Sequence, residues 1–249
     1  MGRARNAVIL LGALAMAGPV DASLSKSEKK QAEKMIEGTL YLRVDVPCRY
    51  SRGHFGMGVQ PVLEVSPDGF DREKLLADTG EDENVGYGFD PNDPVRYGSL
   101  EFSGNRVRVW LEGAVKPKND EIMLEFAQIE TFDDFKRAFD RTFSTVPLQD
   151  EYPDWPAEVR KAIAERRVIQ GMTKKQAFCV VGTPVSLSKV ERDGHEVESW
   201  FPRQDNGVIL SLRKAKTTRT GFPAALEFVD GVLEKIEEAP RTLDLGLDK

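Results

Sequence analysis

The sequence predicts an α+β fold in two parts: a small antiparallel β domain with one covering helix, then a helix-helix-antiparallel-sheet domain. Three observations lead there. From Thr39 apolar and polar residues alternate with a period of two; Phe132, Phe135, Phe139 and Phe143 recur at helical spacing; and a short capped helix beginning at Thr173 precedes two Asp-Gly turns.

The first residues carry Arg3 and Arg5, an apolar run from Ala7 to Ala17, and small residues that suit cleavage at Ala17 or Ala22, the pattern of an export signal spanning 1–22. The run falls short of the roughly 20 residues a membrane-crossing helix needs. No cysteine closely follows it, so no lipid anchor is expected and the mature chain is read as periplasmic or secreted. The net charge of −6 and pI near 5.2 disfavour binding to phosphate backbones, which excludes nucleic acid as an expected partner. Two cysteines, Cys48 and Cys179, would meet an oxidising compartment after export, and either a disulfide or two buried thiols fits the sequence.

Residues 23–38 read as a charged surface helix with serine caps that stops at Gly38. In the β-rich domain, 39–145, the runs TLYLRVDVP, QPVLEVSPDG, GSLEFSG, NRVRVWLEG and DEIMLEFAQI read as strands, with a Gly104-Asn105 turn joining two of them. The glycine- and acid-rich stretch from Asp78 to Gly98 reads as an exposed loop. SRGHFGMGVQ, which holds His54, reads as a flexible connection, because it lacks the spacing of a nucleotide-binding loop. A Thr131 cap starts the covering helix 132–143, whose phenylalanine stripe is what a helix packed on a sheet requires. Three prolines in 146–157 mark a linker.

The region 158–240 opens with a helix placing Val159, Ala162 and Ile163 on one face. Gly171 ends it, Thr173 caps the next with Gln176 completing a capping box, Gly182 stops that helix and Pro184 forbids its return. At about 100° per residue, Cys179 points away from Ala177, Val180 and Val181, toward whatever lies outside its own sheet. Asp193-Gly194 and Asp230-Gly231 signal hairpins, NGVILSLRK reads as a further strand, and 241–249 is a tail.

The run GMTKKQAFCVVGTP, the later ESWF and the closing LEFVDGVLEKI resemble the SmpA/OmlA, or BamE-like, family of small envelope proteins that accompany the outer-membrane barrel-assembly machinery. The resemblance covers about residues 158–237. It implies a helix-helix-sheet fold there and a connection with cell-envelope assembly. The same fold occurs in inhibitors of β-lactamase, which implies an enzyme inhibitor as a variant of this function.

The chain has two histidines, His54 and His195, and His195 follows a surface turn. Asp90 and Asp93 lack the glycine and distal glutamate of a calcium loop. No catalytic, cofactor-binding or metal-binding residue is therefore expected. The expected function is a non-enzymatic protein-interaction module whose partner is another envelope protein, with Phe178 and Trp200 as candidate exposed anchors and ordinary core packing as the alternative for both. The competing expectation is a hydrolase or small-ligand binder built in the β-rich domain, with Asp78–Asp93 as a lid.

Overall fold

In the computed structural model of the chain, residues 23–53, 56–61, 63–70, 85–113, 122–202 and 223–238 are described. The expected export segment 1–22, His54, residues 78–84 of the acidic lid, the run 206–214 and the tail lie outside the described residues, whereas the rest of that lid is strand and turn rather than loop alone.

Helix α1 (Lys26–Met35) starts at Ser25, whose hydroxyl and Glu28 form a reciprocal capping box. It is no frayed appendage: Leu24, Ala32 and Ile36 are buried in the first hydrophobic core, and the Phe132 amide donates to Glu28 Oε1 at 3.2 Å. Strands β1 (Thr39–Leu42), β4 (Glu64–Val65), β6 (Pro94–Ser103), β7 (Arg106–Gly113), β8 (Ile122–Phe126) and β9 (Phe143–Ser144) make one six-stranded sheet in the order β4-β8-β7-β6-β1-β9. Helix α2 (Phe132–Thr142) closes it. Phe135, Phe139 and Phe143 are buried, and Phe126 meets Phe135 edge to face with centroids 5.5 Å apart. Burying each such ring contributes roughly 1.5–3 kcal/mol.

Strands β2 (Val46–Gly53), β3 (Gly56–Pro61) and β5 (Val85–Phe89) form a three-stranded sheet in the order β3-β2-β5. These segments include the glycine-rich stretches expected as loops. Backbone pairing needs no side-chain alternation, so the run from Cys48↔Pro61 to Gly53↔Gly56 forms despite its glycines.

The remaining chain holds α3 (Leu148–Glu151), α4 (Ala157–Ala164), α5 (Lys174–Val181) and a four-stranded antiparallel sheet of β10 (Ser186–Arg192), β11 (His195–Phe201), β12 (Pro223–Val229) and β13 (Val232–Glu238), in sequential order. Its core gathers Val159, Ile163, Val180, Trp200, Phe228 and their neighbours.

The predicted fold class is overturned. Strand residues outnumber helical ones among those described. The first sheet is not small and antiparallel but six-stranded, curled and mixed, because β4 runs parallel to β8. The BamE-like helix-helix-sheet layout expected of 158–240 is not what forms. Helices α4 and α5 have eight residues each, about 12 Å of rise, too short to make a layer. Caps and glycine stops mark where a helix ends; they do not decide whether helices or strands dominate.

Nor does 146–157 behave as a free linker. Leu148 is buried, its amide donates to Asn92 Oδ1 at 2.8 Å, and Asn92 Nδ2 donates to Gln149 Oε1 at 2.9 Å. Arg43 donates through Nε to the Phe143 carbonyl and pairs with Glu151. Further along the seam, the Asp45 carboxylate accepts from the Thr183 amide at 3.0 Å and hydroxyl at 2.8 Å, while Arg166 donates to the Pro91 carbonyl and to Asp93. The two cores are therefore joined by buried and half-buried polar contacts rather than by one strand of chain.

Candidate interaction surface

The four-stranded sheet takes its shape from its turns. Asp193 and Gly194 have φ of 54° and 81°, and Asp230 and Gly231 have 48° and 84°. Two consecutive positive φ values match the twist of a two-residue hairpin, so both Asp-Gly pairs form the turns they signal. The paired residues run from Arg192↔His195 to Ser186↔Phe201 in one hairpin and through Val229↔Val232 in the other.

Register assigns the faces. Leu187, Lys189 and Glu191 stand opposite Trp200, Glu198 and Glu196, on the face that meets the second core. On the opposite face Val190, Val197, Val229 and Val232 align in one row across all four strands.

Glu198 is the chemical centre of the inward face, 4% exposed. Lys174 Nζ lies 2.6 Å and Lys189 Nζ 3.1 Å from Glu198 Oε2, and the Trp200 indole donates to Oε1. Burial pushes this carboxyl upward, but the hydrogen bonds from Lys174, Trp200 and Lys189 and the Lys174 charge outweigh it and draw its pKa down to about 2. For Lys174, burial opposes the charge, and contacts with Glu198 and Glu196 override it and raise the pKa. The network ties α5, β10 and β11 together.

The two edges of the sheet differ. Beside β13, Gly171 donates to the Leu233 carbonyl at 2.9 Å, Leu233 donates to Met172, and Lys174 donates to Gly231. The rest of β13 is rich in charge, with Glu234, Lys235, Glu237 and Glu238. By contrast, all seven residues of β10 are exposed, and among the described residues no strand pairs with its far side. Val185 is 51%, Val190 53%, Leu187 39% and Phe201 40% exposed along it.

The structure places the sequence-predicted residues as follows. Gly171 has φ of 83°; Thr173 and Gln176 form the reciprocal capping box; Gly182 ends α5 at φ of 71°; Pro184 is buried just beyond. Trp200 is not an exposed anchor. It is 3% exposed, packed on Phe228 with ring centroids 4.7 Å apart. Phe178 is half-buried against the same core. Both aromatic residues complete packing, and four of the exposed large apolar residues, Val185, Leu187, Val190 and Phe201, lie on or beside β10 instead.

Cys179 carries a free thiol, 5% exposed, within the second core and near the Lys175 carbonyl at 3.3 Å. The pairing with Cys48 is not formed, and the Cys179 thiol is buried close enough to Arg43 and Glu151 at the seam to feel their charges. Burial pushes the thiol up to about 11, with Lys175 opposing. The Cys48 backbone pairs within β2, and its side chain lies outside the described ones.

His195 is exposed and sits 2.6 Å from Asp230, linking the two turns, and this hydrogen bond raises its pKa. Asp93 is engaged by Arg166, and among the described residues no group of three His, Cys, Asp or Glu side chains is arranged to hold a metal. Sequence reasoning missed the buried carboxylates Asp45, Glu125 and Glu198, and the open edge. A glutamate between Val197 and Trp200 in an otherwise alternating strand is the one local signal that could have revealed Glu198.

No family model matches the chain, and neither a curated protein nor a solved structure does, so the reading of this surface rests on its own geometry.

Proposed function

We propose that the protein is an exported, non-enzymatic interaction module of the cell envelope, and that the β10–β13 sheet is its contact element. One observation carries this reading: β10 offers backbone donors and acceptors together with the exposed side chains of Leu187 and Val190, and of Val185 just before it, the combination by which an exposed strand recognises another polypeptide. The export signature at 1–22 supports the compartment. The Glu198 network supports a rigid edge, since it holds Lys189 of β10 to the buried sheet.

The test is affinity purification of the tagged mature protein from its native envelope, beside a variant in which Leu187→Asp disrupts the edge. A specific envelope protein recovered with the parent and lost with the variant is the expected result. Recovery that ignores the substitution would move the contact elsewhere, and turnover of a small substrate by the purified protein would replace the reading with catalysis.

A further inference from the structure

We propose that the open β10 edge pairs with the β10 edge of a second copy of this chain, antiparallel about a two-fold axis at Val190. The inference rests on the reading of the sheet as a contact element and names one occupant for it.

The direction of the backbone groups along β10 follows from the neighbouring strands. Glu196 turns its carbonyl to the Asp230 amide at 2.8 Å and its amide to Asp230 Oδ1 at 3.0 Å, so both point away from β10. Glu191↔Glu196 is therefore a non-hydrogen-bonded pair, and by alternation so are Lys189↔Glu198 and Leu187↔Trp200. Leu187, Lys189 and Glu191 consequently aim their own amides and carbonyls at the open edge. Val190 aims its groups inward, at Val197.

Charge selects the register. A two-fold axis at Lys189 or at Glu191 would set like charges directly opposite each other, which is unfavourable. With the axis at Val190, Lys189 stands opposite Glu191 of the partner subunit, and Glu191 opposite Lys189 of the partner subunit. These two positions are the ones whose backbone groups face outward, so each opposite-charge pair is also a hydrogen-bonded pair. A lysine on an edge strand ordinarily discourages pairing. Here Glu191, two residues along on the same face, supplies its complement. On the other face Val190 meets its symmetry mate, and the row of Val190, Val197, Val229 and Val232 continues into the second copy.

Sedimentation velocity of the mature chain over a concentration series tests the proposal, with three variants chosen at exposed positions. The parent should reach twice the monomer mass. Glu191→Lys turns both attractive pairs repulsive and should weaken the dimer about thirty-fold, with an unchanged circular dichroism spectrum showing that it folds. In the proposed register the Cα atoms of the central pair lie about 4.5 Å apart, within disulfide range. Val190→Cys should therefore yield a covalent dimer on oxidation. Ser188→Cys should not, because its symmetry mate lies roughly 13 Å away along the strand.

A parent that stays monomeric at every concentration overturns the pairing, as does a dimer indifferent to Glu191→Lys or crosslinked equally through Ser188→Cys. The two proposals separate cleanly. A monomer that still loses an envelope partner when β10 is altered has a foreign strand on its edge, which ends the self-pairing and keeps the proposed function. A crosslinked dimer with no edge-dependent partner does the reverse.

Discussion

Glu198→Gln probes the network beneath β10 most directly. In the folded protein the Glu198 carboxyl titrates at about 2, against an ordinary value of 4.5. At about 1.36 kcal/mol per pH unit, that difference amounts to about 3 kcal/mol favouring the folded state when the group is ionised. Because the folded pKa lies below the unfolded one, this contribution is fully present above pH 4.5 and is lost as pH falls toward 2. The physical source is a carboxylate 4% exposed that is held by Lys174, Lys189 and the Trp200 indole. The glutamine amide keeps the shape and loses the charge. Urea unfolding followed by tryptophan fluorescence, run at steps from neutral pH downward, measures parent and variant side by side. The parent should be more stable by about 3 kcal/mol at neutral pH, and the gap should close across the acidic window. A gap that stays constant with pH, or is absent at neutrality, refutes the assignment of stability to this charge.

Three further outcomes follow from burial and backbone geometry. Trp200→Ala should cost about 3–5 kcal/mol in chemical denaturation, because the ring fills the second core, whereas Leu187→Ser at the exposed edge should change stability by no more than about 0.5 kcal/mol; equal effects would contradict the inward placement of Trp200. Gly182→Ala should lower the melting temperature more than Gly171→Ala. Both glycines have positive φ, but a Cβ on Gly182 would stand 3.3 Å from Asp45 Oδ1 and from Pro91 Cδ, while none of the neighbours of Gly171 lies within 4 Å. In the native protein the Cys179 peptide should stay unmodified by a thiol reagent at mildly alkaline pH and react once unfolded, since burial holds the thiol at about 11; mass mapping that finds it labelled in the native state, or joined to Cys48, would reverse the description of α5.

Features set by a few neighbouring residues were legible in the sequence. The Thr131 cap and the Thr173 capping box form, both Asp-Gly hairpins form at the expected positions, and the phenylalanine stripe of α2 turns into the core. Each depends on contacts within one turn of chain, where residue type dictates φ or a hydrogen bond. Strands β2, β3 and β5 were less legible. Glycine and proline composition hides a strand whose stability comes from a partner far along the chain.

The interaction surface depended most on tertiary structure. Alternation in ESWF shows that Trp200 and Phe201 lie on opposite faces, but only the register with β12 shows that Trp200 is the buried one. Likewise, the charge of Glu198 is plain in the sequence, while the lysines that hold it come from α5 and from β10.

By itself, then, the sequence determined caps, turns, the helical phenylalanine stripe and an acidic composition, all local properties of the chain. The tertiary structure decided the mixed six-stranded sheet, the predominance of strand over helix, the free buried thiol and which sheet edge stays open. The physical reason is that strand order, burial and edge status are set by pairing between segments distant in sequence, and no short window of residues contains both partners.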